Sequence, residues 1–158
     1  MAHVLALYIC PNQGMPMQFK TNVLALKGSG LDGDRYAQGK GAWSHAARTT
    51  IRHVTLIGQE AIEMANLELG LRDFAPFEPS ETRRNILTSG IELNGLVGRE
   101  FLVGVVLMRG VELADPCKRP SALVKKRGFD SAFIGRGGLR AEILTTGTIL
   151  LGDDIRNV

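Results

Sequence analysis

Cys117 is the residue of this sequence whose surroundings best suit chemistry. It lies in the stretch from Glu112 to Pro120, between Pro116 and Pro120 and directly before Lys118 and Arg119. Proline fixes its own φ and biases the preceding residue toward extended geometry, so this stretch is predicted to be a stiff loop. Positive charge near a thiol favours the thiolate, the nucleophilic and metal-binding form of cysteine. The alternative, a small buried cysteine whose charged neighbours point into water, stays open on this pattern alone.

A glycine-rich loop over residues 28–41 contains two charged residues that could face a ligand, Asp34 and Arg35. Glycine permits positive φ and lets the backbone approach a ligand closely. The loop is not a phosphate-binding Walker loop, because no Gly-Lys-Ser/Thr ending opens a helix. The pattern favours a structural turn in which Asp34 and Arg35 pair with the backbone.

A third candidate is the predicted strand over residues 82–88. Alternation sends Arg83 and Asn85 to one face and Arg84 to the other. A guanidinium next to an amide suits an anionic or amide-bearing ligand. The competing interpretation is an exposed strand face without a ligand.

Composition limits the kind of protein. The 158 residues are 44% hydrophobic and 22% charged, which predicts one globular domain over residues 1–158. The net charge is only +3, the basic residues are scattered along the sequence, and aromatic residues make up only 6%. No nucleic-acid surface is therefore expected. The apolar start reaches a proline at Pro11 without a basic flank, which argues against a secretory signal or membrane span.

The two cysteines lie in very different contexts. Cys10 ends the first apolar run, whereas Cys117 lies in the proline loop. Without export features, this usage predicts a reducing, cytoplasmic compartment. Two cysteines with no paired histidine also fall short of a zinc site.

The remaining elements must position these residues, and they are mostly short strands. Strands are predicted at the start, over residues 49–57, 82–88 and 93–107, and as a hairpin over 139–153. His53 is expected to be a strand residue with a satisfied ring. Helices are predicted over residues 57–69, with Gly70 as C-cap, and over 121–128. Together, these elements predict a mainly β fold, a partly closed barrel with about two short helices.

A set of motifs, taken in order, resembles the MOSC domain, which is named after the C-terminal domain of molybdenum cofactor sulfurases. The set covers nearly all of the sequence and is specific as an ordered series, although each part alone is weak. Its parts are Gly30-Leu31-Asp32-Gly33-Asp34-Arg35, His53-Val54-Thr55-Leu56-Ile57, Arg83-Arg84-Asn85-Ile86 with Gly90 and Leu93, Leu96-Val97-Gly98 with Phe101 and Gly104, Pro116-Cys117, and Gly138-Leu139-Arg140-Ala141 with Gly147 and Gly152-Asp153.

The resemblance implies a barrel-like fold and a functional role for Cys117. In relatives that bind the molybdenum cofactor, a pterin with a phosphate and a dithiolene-held metal, the matching cysteine ligates molybdenum. In the sulfurase setting, the family is also proposed to carry sulfur as a cysteine persulfide. By position, Arg83 and Asn85 match the family's Arg-x-Asn motif and become candidates for holding the pterin or its phosphate.

The same resemblance makes Asp34, Arg35 and Arg140 candidates for lining or bracing the mouth of this cofactor site. No pyridoxal phosphate site is recognised, so a sulfur-carrying role needs a separate cysteine desulfurase. Redox work on a small substrate, such as an N-hydroxylated compound, needs an electron-transfer reductase as partner. The third alternative is a non-catalytic barrel that binds an anionic ligand or a protein partner.

Overall fold

The structure is a computed structural model that describes residues 1–44 and 51–158. Within these residues the chain is mainly β, with eleven strands and only one helix longer than six residues. The strands are β1 (His3–Ile9), β2 (Gln18–Lys20), β3 (Asn22–Leu26), β4 (Gly30–Leu31), β5 (Val54–Gly58), β6 (Ile86–Ser89), β7 (Glu100–Val103), β8 (Val106–Leu113), β9 (Leu139–Ile143), β10 (Gly147–Leu150) and β11 (Ile155–Asn157). The α-helices are α1 (Gln59–Leu71), α2 (Arg119–Val124) and α3 (Phe129–Ala132), and 3-10 turns cover Pro79–Thr82 and Leu93–Leu96.

Eight strands form one curled sheet in the order β11-β7-β8-β9-β5-β6-β1-β2. The start of β1 returns toward the opposite edge, where His3 bridges to Asp154 just before β11. Hydrogen bonds from Val4 N to Asp153 O and from Ile155 N to Ala2 O reinforce this closure, at 2.9 and 3.0 Å. The predicted mainly β, partly closed barrel is therefore confirmed.

Alternation along the strands divides the apolar residues between two cores. Leu56 of β5 and Ile86 of β6 point inward, to a cluster that fills the barrel. Their neighbours Ile57 and Leu87 point outward, to a second cluster beneath α1 and α3. In this second core the rings of Phe129 and Phe133 stack, with 4.4 Å between their centroids.

Helix α1 fits the predicted position but not the predicted end. Its buried face consists of Ile62, Ala65 and Leu69, at the expected helical spacing. Gly70 is not the C-cap, because the helix continues to Leu71 and the residue with left-handed geometry is Asp73, at φ 55°. Gly70 thus lies within an exposed part of the helix.

Three other predictions about local structure are wrong. The segment predicted as strands over 93–107 begins with the 3-10 turn Leu93–Leu96, and β7 starts only at Glu100. The 139–153 segment is not a hairpin, because β9 pairs with β8 and β5, whereas β10 pairs with β3 in a separate three-stranded sheet. The strand predicted over 82–88 begins only at Ile86. A 3-10 turn precedes it, and Arg83 adopts left-handed geometry at φ 65°, so strand alternation does not apply to residues 83–85.

The other two boundaries shift for local reasons. The strand predicted over 49–57 is seen as Val54–Gly58. Residues 49 and 50 of the predicted strand lie outside the described residues. Helix α2 starts at Arg119 instead of residue 121 and ends at Val124, where Lys125 caps it at φ 56°, instead of at Gly128. Gly128 instead caps the start of α3, at φ 92°. No helix among the described residues is long and apolar enough to cross a membrane.

Candidate functional site

A cleft that is partly open to solvent collects polar residues from five segments that are far apart in the sequence. Cys117 lines it, together with several arginines and two aromatic rings. The lining residues are Arg35, Tyr36, Ala42, Trp43, Arg52, His53, Val54, Thr55, Arg83, Arg84, Asn85, Asp115, Cys117, Arg119, Pro120 and Arg140. Six of them are arginines, against one acidic residue, so the cleft is strongly cationic.

The loop that carries Cys117 is fixed by Arg84. After β8 the chain is irregular over residues 114–118, as the two prolines predict. Arg84 donates from Nε to Gly137 O at 2.7 Å and from Nη2 to Ala114 O at 3.1 Å. The Ala114 N–H in turn donates to Gly138 O at 2.8 Å. One guanidinium therefore ties the start of the cysteine loop to the turn before β9.

Glycine is required where that turn meets the loop. A Cβ added to Gly137 would lie 2.3 Å from Ala114 O, and one added to Gly138 would lie 2.1 Å from Leu56 O. Gly138 also has φ 103°, which side chains rarely adopt. The Gly137-Gly138 pair thus lets the cysteine loop pack directly on the neighbouring backbone.

The two thiols differ in what they contact. Cys10 is fully buried, and its Sγ donates to Asn12 O at 2.8 Å and Met15 O at 3.2 Å. Cys117 is half-buried, and its Sγ makes no hydrogen bond within residues 1–44 and 51–158. Cys10 is therefore a structural thiol, whereas the sulfur of Cys117 is available to a ligand in the cleft.

Asp34 anchors a buried polar network behind the cleft. Its Oδ1 accepts from Cys10 N at 2.9 Å and pairs with Arg35 Nη1 at 3.1 Å, and its Oδ2 accepts from Tyr36 N at 3.2 Å. Asn85 Nδ2 approaches the same Oδ1 at 3.5 Å. Asp34 is fully buried, so it braces Arg35 and Asn85 instead of facing a ligand.

The side-chain amide of Asn85 is used within the fold. Its Oδ1 accepts from the N and Oγ1 of Thr55 at 3.1 and 3.2 Å, and its Nδ2 donates to Tyr8 O at 3.1 Å. These bonds join the end of β1, the start of β5 and the segment before β6. Asn85 thus holds together three segments at the base of the cleft.

Arg83 reaches the cleft because of its left-handed backbone. Its Nη1 donates to Met15 O at 2.7 Å, and its Nη2 lies 3.8 Å from Cys10 Sγ. Burial lowers the pKa of Arg83, and the positive charge of Arg35 lowers it further. The 12–15 loop therefore holds one end of this guanidinium, while the residue lines the cleft.

Arg84, Arg119 and Arg140 line the cleft together with Cys117. Burial lowers the pKa of Arg84 to about 10, the charge of Arg140 adds to this effect, and Cys117 opposes it. Arg84 is still a cation at neutral pH and lies within electrostatic reach of the sulfur. Arg140 is held by Glu112, with 2.5 Å between Nη1 and Oε1. Arg119 donates to Gln13 Oε1 at 3.4 Å.

His53 enters the cleft as a neutral ring. Its Nδ1 accepts from Ile143 N at 3.0 Å, so that nitrogen carries no proton. Burial lowers the pKa of His53, and Glu142 only partly opposes this. The expected satisfied ring is therefore present, although His53 lies just before β5 instead of within it.

The structure brings most of the predicted site residues together. Arg35, Arg83, Asn85, Cys117 and Arg140 line one cleft, and Asp34 lies behind it. Sequence reasoning missed Arg84, which strand alternation had sent to the opposite face. The sequence feature that could have pointed to Arg84 is the pair of adjacent arginines directly before a buried strand. A guanidinium that close to the core needs specific hydrogen-bond partners within the fold.

The described residues hold no group of three or more His, Cys, Asp and Glu side chains that could bind a metal ion by themselves. A metal in this cleft would have to bring further ligands of its own, with Cys117 as the ligand from the protein. The donor set otherwise consists of guanidiniums, which suit phosphate and other oxyanions.

Comparison with solved structures supports the fold. The chain superposes on the YuaD protein from Bacillus subtilis with a TM-score of 0.78 at 19% identity, covering 98% of this chain and 94% of that one. YiiM from Geobacillus stearothermophilus gives 0.72 at 14% identity, over 100% of this chain and 75% of that one. YiiM from Escherichia coli gives 0.68 at 15% identity, with 100% and 70% covered.

The sequence comparison assigns the family. No curated protein matches this chain. The model of the MOSC domain matches residues 44–156, which is more than half of the chain and includes Arg83, Asn85 and Cys117. This protein therefore belongs to the MOSC domain family.

Proposed function

We propose that the cleft binds a molybdenum cofactor, with Cys117 as the thiolate ligand of molybdenum. The observation that carries the proposal is the thiol of Cys117, which forms no hydrogen bond with the described residues and opens into a cleft lined by six arginines. A thiolate suits a soft transition-metal centre, and guanidiniums suit the phosphate of the pterin. A cofactor that brings a dithiolene to its metal needs few further ligands from the protein.

The residues fall into two groups in this proposal. Arg35, Arg83, Arg119 and Arg140 are candidates for holding the phosphate and pterin, because their guanidiniums line the cleft. Asp34 and Asn85 act behind them, since their side chains are bonded within the fold. Asn85 keeps a place in the cleft wall, but its contribution is to hold the wall in position.

When bound, the cofactor supplies two-electron redox chemistry. We propose a small substrate, such as an N-hydroxylated compound, and an electron-transfer reductase as the partner that restores the cofactor. Free thiols at Cys10 and Cys117 fit a reducing compartment, so the proposal places the protein in the cytoplasm.

The available thiol also supports a second candidate function, sulfur carriage. In this case the thiolate of Cys117 attacks the outer sulfur of a persulfide on a separate cysteine desulfurase. A new S–S bond forms on Cys117, the old S–S bond breaks, and the desulfurase thiolate leaves, so no external oxidant is needed. The partial exposure of Cys117 favours this reading, because the sulfur must meet another protein.

Metal and pterin analysis of protein purified from a cofactor-making host tests the first proposal. Wild-type protein and Cys10→Ser are expected to contain molybdenum and pterin in equal amounts, whereas Cys117→Ser loses the metal. Cys10→Ser is the matched control, because serine can still donate to the carbonyls that hold the Cys10 thiol. Wild-type protein without molybdenum would contradict cofactor binding.

The sulfur-carrier candidate has its own measurement. Incubation with a cysteine desulfurase and cysteine should add the mass of one sulfur atom to wild-type protein and Cys10→Ser, and nothing to Cys117→Ser. An unchanged mass in all three would contradict sulfur carriage. If metal and sulfur are both absent, the remaining candidate is a non-catalytic barrel that binds an anionic ligand or a protein partner.

A further inference from the structure

Reduction of an N-hydroxylated compound in the cleft requires a group that gives up a proton. Such a compound, R–NH–OH, takes up two electrons and two protons and becomes R–NH₂ and water. One of the protons has to reach the hydroxyl oxygen, because water leaves far more easily than hydroxide. A side chain that supplies this proton would act as a general acid.

Most polar groups of the cleft cannot supply that proton. The guanidiniums stay protonated at neutral pH, and the indole N–H of Trp43 does not ionise. Asp115 is an exposed carboxylate, which accepts hydrogen bonds instead of donating them. The Thr55 hydroxyl is used within the fold, because it donates to Asn85 Oδ1 at 3.2 Å and accepts from Asn85 N at 3.1 Å.

His53 is excluded by the way its ring is bonded. The N–H of Ile143 donates to Nδ1 at 3.0 Å, so this nitrogen cannot carry a proton while the bond is present. The ring is therefore neutral, and a neutral imidazole does not readily give up its Nε2 proton. Only the imidazolium would be a useful acid, and its formation would break the bond to Ile143.

Tyr36 brings a hydroxyl into the same cleft. Among the described residues this hydroxyl has no hydrogen-bond partner, since the bond to Asp34 Oδ2 is made by the Tyr36 backbone N–H. Burial is the main cause that lowers the pKa of Arg84, and Cys117 and Tyr36 both oppose it. The thiol and the phenol are therefore within electrostatic reach of the same guanidinium.

The ring of Tyr36 is held by contacts that do not use the hydroxyl. A Cβ added to Gly41 would lie 2.2 Å from Tyr36 Cε1, so the ring lies directly on the Gly41 backbone. The guanidinium carbon of Arg35 lies 4.8 Å from the ring centroid. Tyr36→Phe keeps both contacts and removes only the hydroxyl.

On the basis of the proposed function, we propose that Tyr36 is the residue that protonates the hydroxyl of the substrate. The Tyr36 O–H bond breaks, its proton goes to the hydroxyl oxygen, and the N–O bond breaks as two electrons arrive from the reductase, so that water leaves. The second proton, for the nitrogen, comes from solvent through the open side of the cleft. The positive charge of Arg84 stabilises the phenolate until solvent returns the proton.

Full-length protein from a cofactor-making host tests this step, with benzohydroxamic acid as the N-hydroxylated compound and reduced methyl viologen as the electron donor. Tyr36→Phe should contain as much molybdenum and pterin as wild type and unfold at the same urea concentration, but form benzamide with a kcat at least about 100-fold lower. Tyr8→Phe is the matched control and should keep the wild-type kcat. It removes the other phenol of the sequence, whose ring packs on the second core.

Calorimetric binding without an electron donor gives a second readout. Tyr36→Phe should bind benzohydroxamic acid about two- to tenfold more weakly, as expected for one lost hydrogen bond. Benzamide lacks the hydroxyl and should bind to wild type and variant equally. Equal losses for both ligands, or a wild-type kcat in Tyr36→Phe, would overturn the role of Tyr36 alone. Wild-type protein without molybdenum, or without benzamide formation, would refute the proposed reductase function and this step with it.

Discussion

Arg84→Met is the substitution that most directly tests how the cysteine loop is positioned. Methionine keeps the apolar stem but removes the guanidinium that donates to Gly137 O and Ala114 O. Both carbonyl groups belong to buried residues, so water does not readily replace the lost donors. The variant thus separates the role of the charged donors from the role of packing.

The expected loss follows from these two bonds. A hydrogen bond from a charged donor contributes about 1.5–3 kcal/mol, and an abandoned buried acceptor adds to the cost. Arg84→Met should therefore lower the free energy of unfolding by about 3–5 kcal/mol. Since such domains have only about 5–15 kcal/mol in total, the effect is large. Arg84→Lys, with a single ammonium for two carbonyls, should lose about half as much.

Urea unfolding measures this loss as a lower midpoint. The matched control is Arg109→Met, which removes an exposed arginine that pairs with Glu100 at 3.1 Å and Glu142 at 3.4 Å. Exposed pairs contribute little, so the control should lose less than about 1 kcal/mol. Amide hydrogen exchange over residues 113–117 should accelerate in Arg84→Met alone. Equal losses in both variants, or unchanged exchange in that loop, would refute the assigned role.

Three further predictions concern residues around the cleft. Because the pKa of His53 is lowered in the folded state, the unfolded chain binds a proton at this histidine more readily, and the contribution of His53 to stability is lost as pH falls below about 6.5. His53→Asn keeps the acceptor and should flatten this part of the stability profile measured by urea unfolding. An identical profile in wild type and variant would contradict this. Gly137→Ala should cost more than about 2 kcal/mol of unfolding free energy, whereas Gly95→Ala, with open space at its Cβ, should cost less than about 0.5 kcal/mol; a similar loss in both would contradict the close contact at Gly137. Asn85→Asp puts a second carboxylate beside Asp34 and should cost about 3–5 kcal/mol at neutral pH, with the loss shrinking as the solution is acidified, and a pH-independent loss would argue against charge repulsion.

Periodicity in the sequence was enough for most elements. The buried and partly exposed residues of β9 alternate as predicted from Leu139 to Ile143. The prolines correctly marked an irregular loop, but it covers residues 114–118 and not the whole predicted stretch, because Glu112 belongs to β8 and Pro120 to α2. The apolar spacing found the buried face of α1. These features depend on neighbours within a few residues, which is the range that a pattern can read.

What the pattern could not supply depends on contacts between distant residues. Nothing near Arg83 signals left-handed geometry, because the residue is not glycine, and its guanidinium is held by the 12–15 loop. The partner of β10 is β3, more than a hundred residues earlier, whereas proximity in sequence favoured a hairpin with β9. The arginines around Cys117 likewise come from segments that no local rule connects.

The closure of the barrel has a consequence for how the chain folds. Strand β10 completes the small sheet with β3, and the segment before β11 bridges to the start of β1. On the ribosome, these first strands emerge long before their partners exist. Structures dominated by such distant pairings fold slowly, and strands that wait unpaired are prone to aggregate. We therefore expect the early strands to need protection during synthesis, and Arg140 to join the cleft only when the last quarter of the chain has emerged.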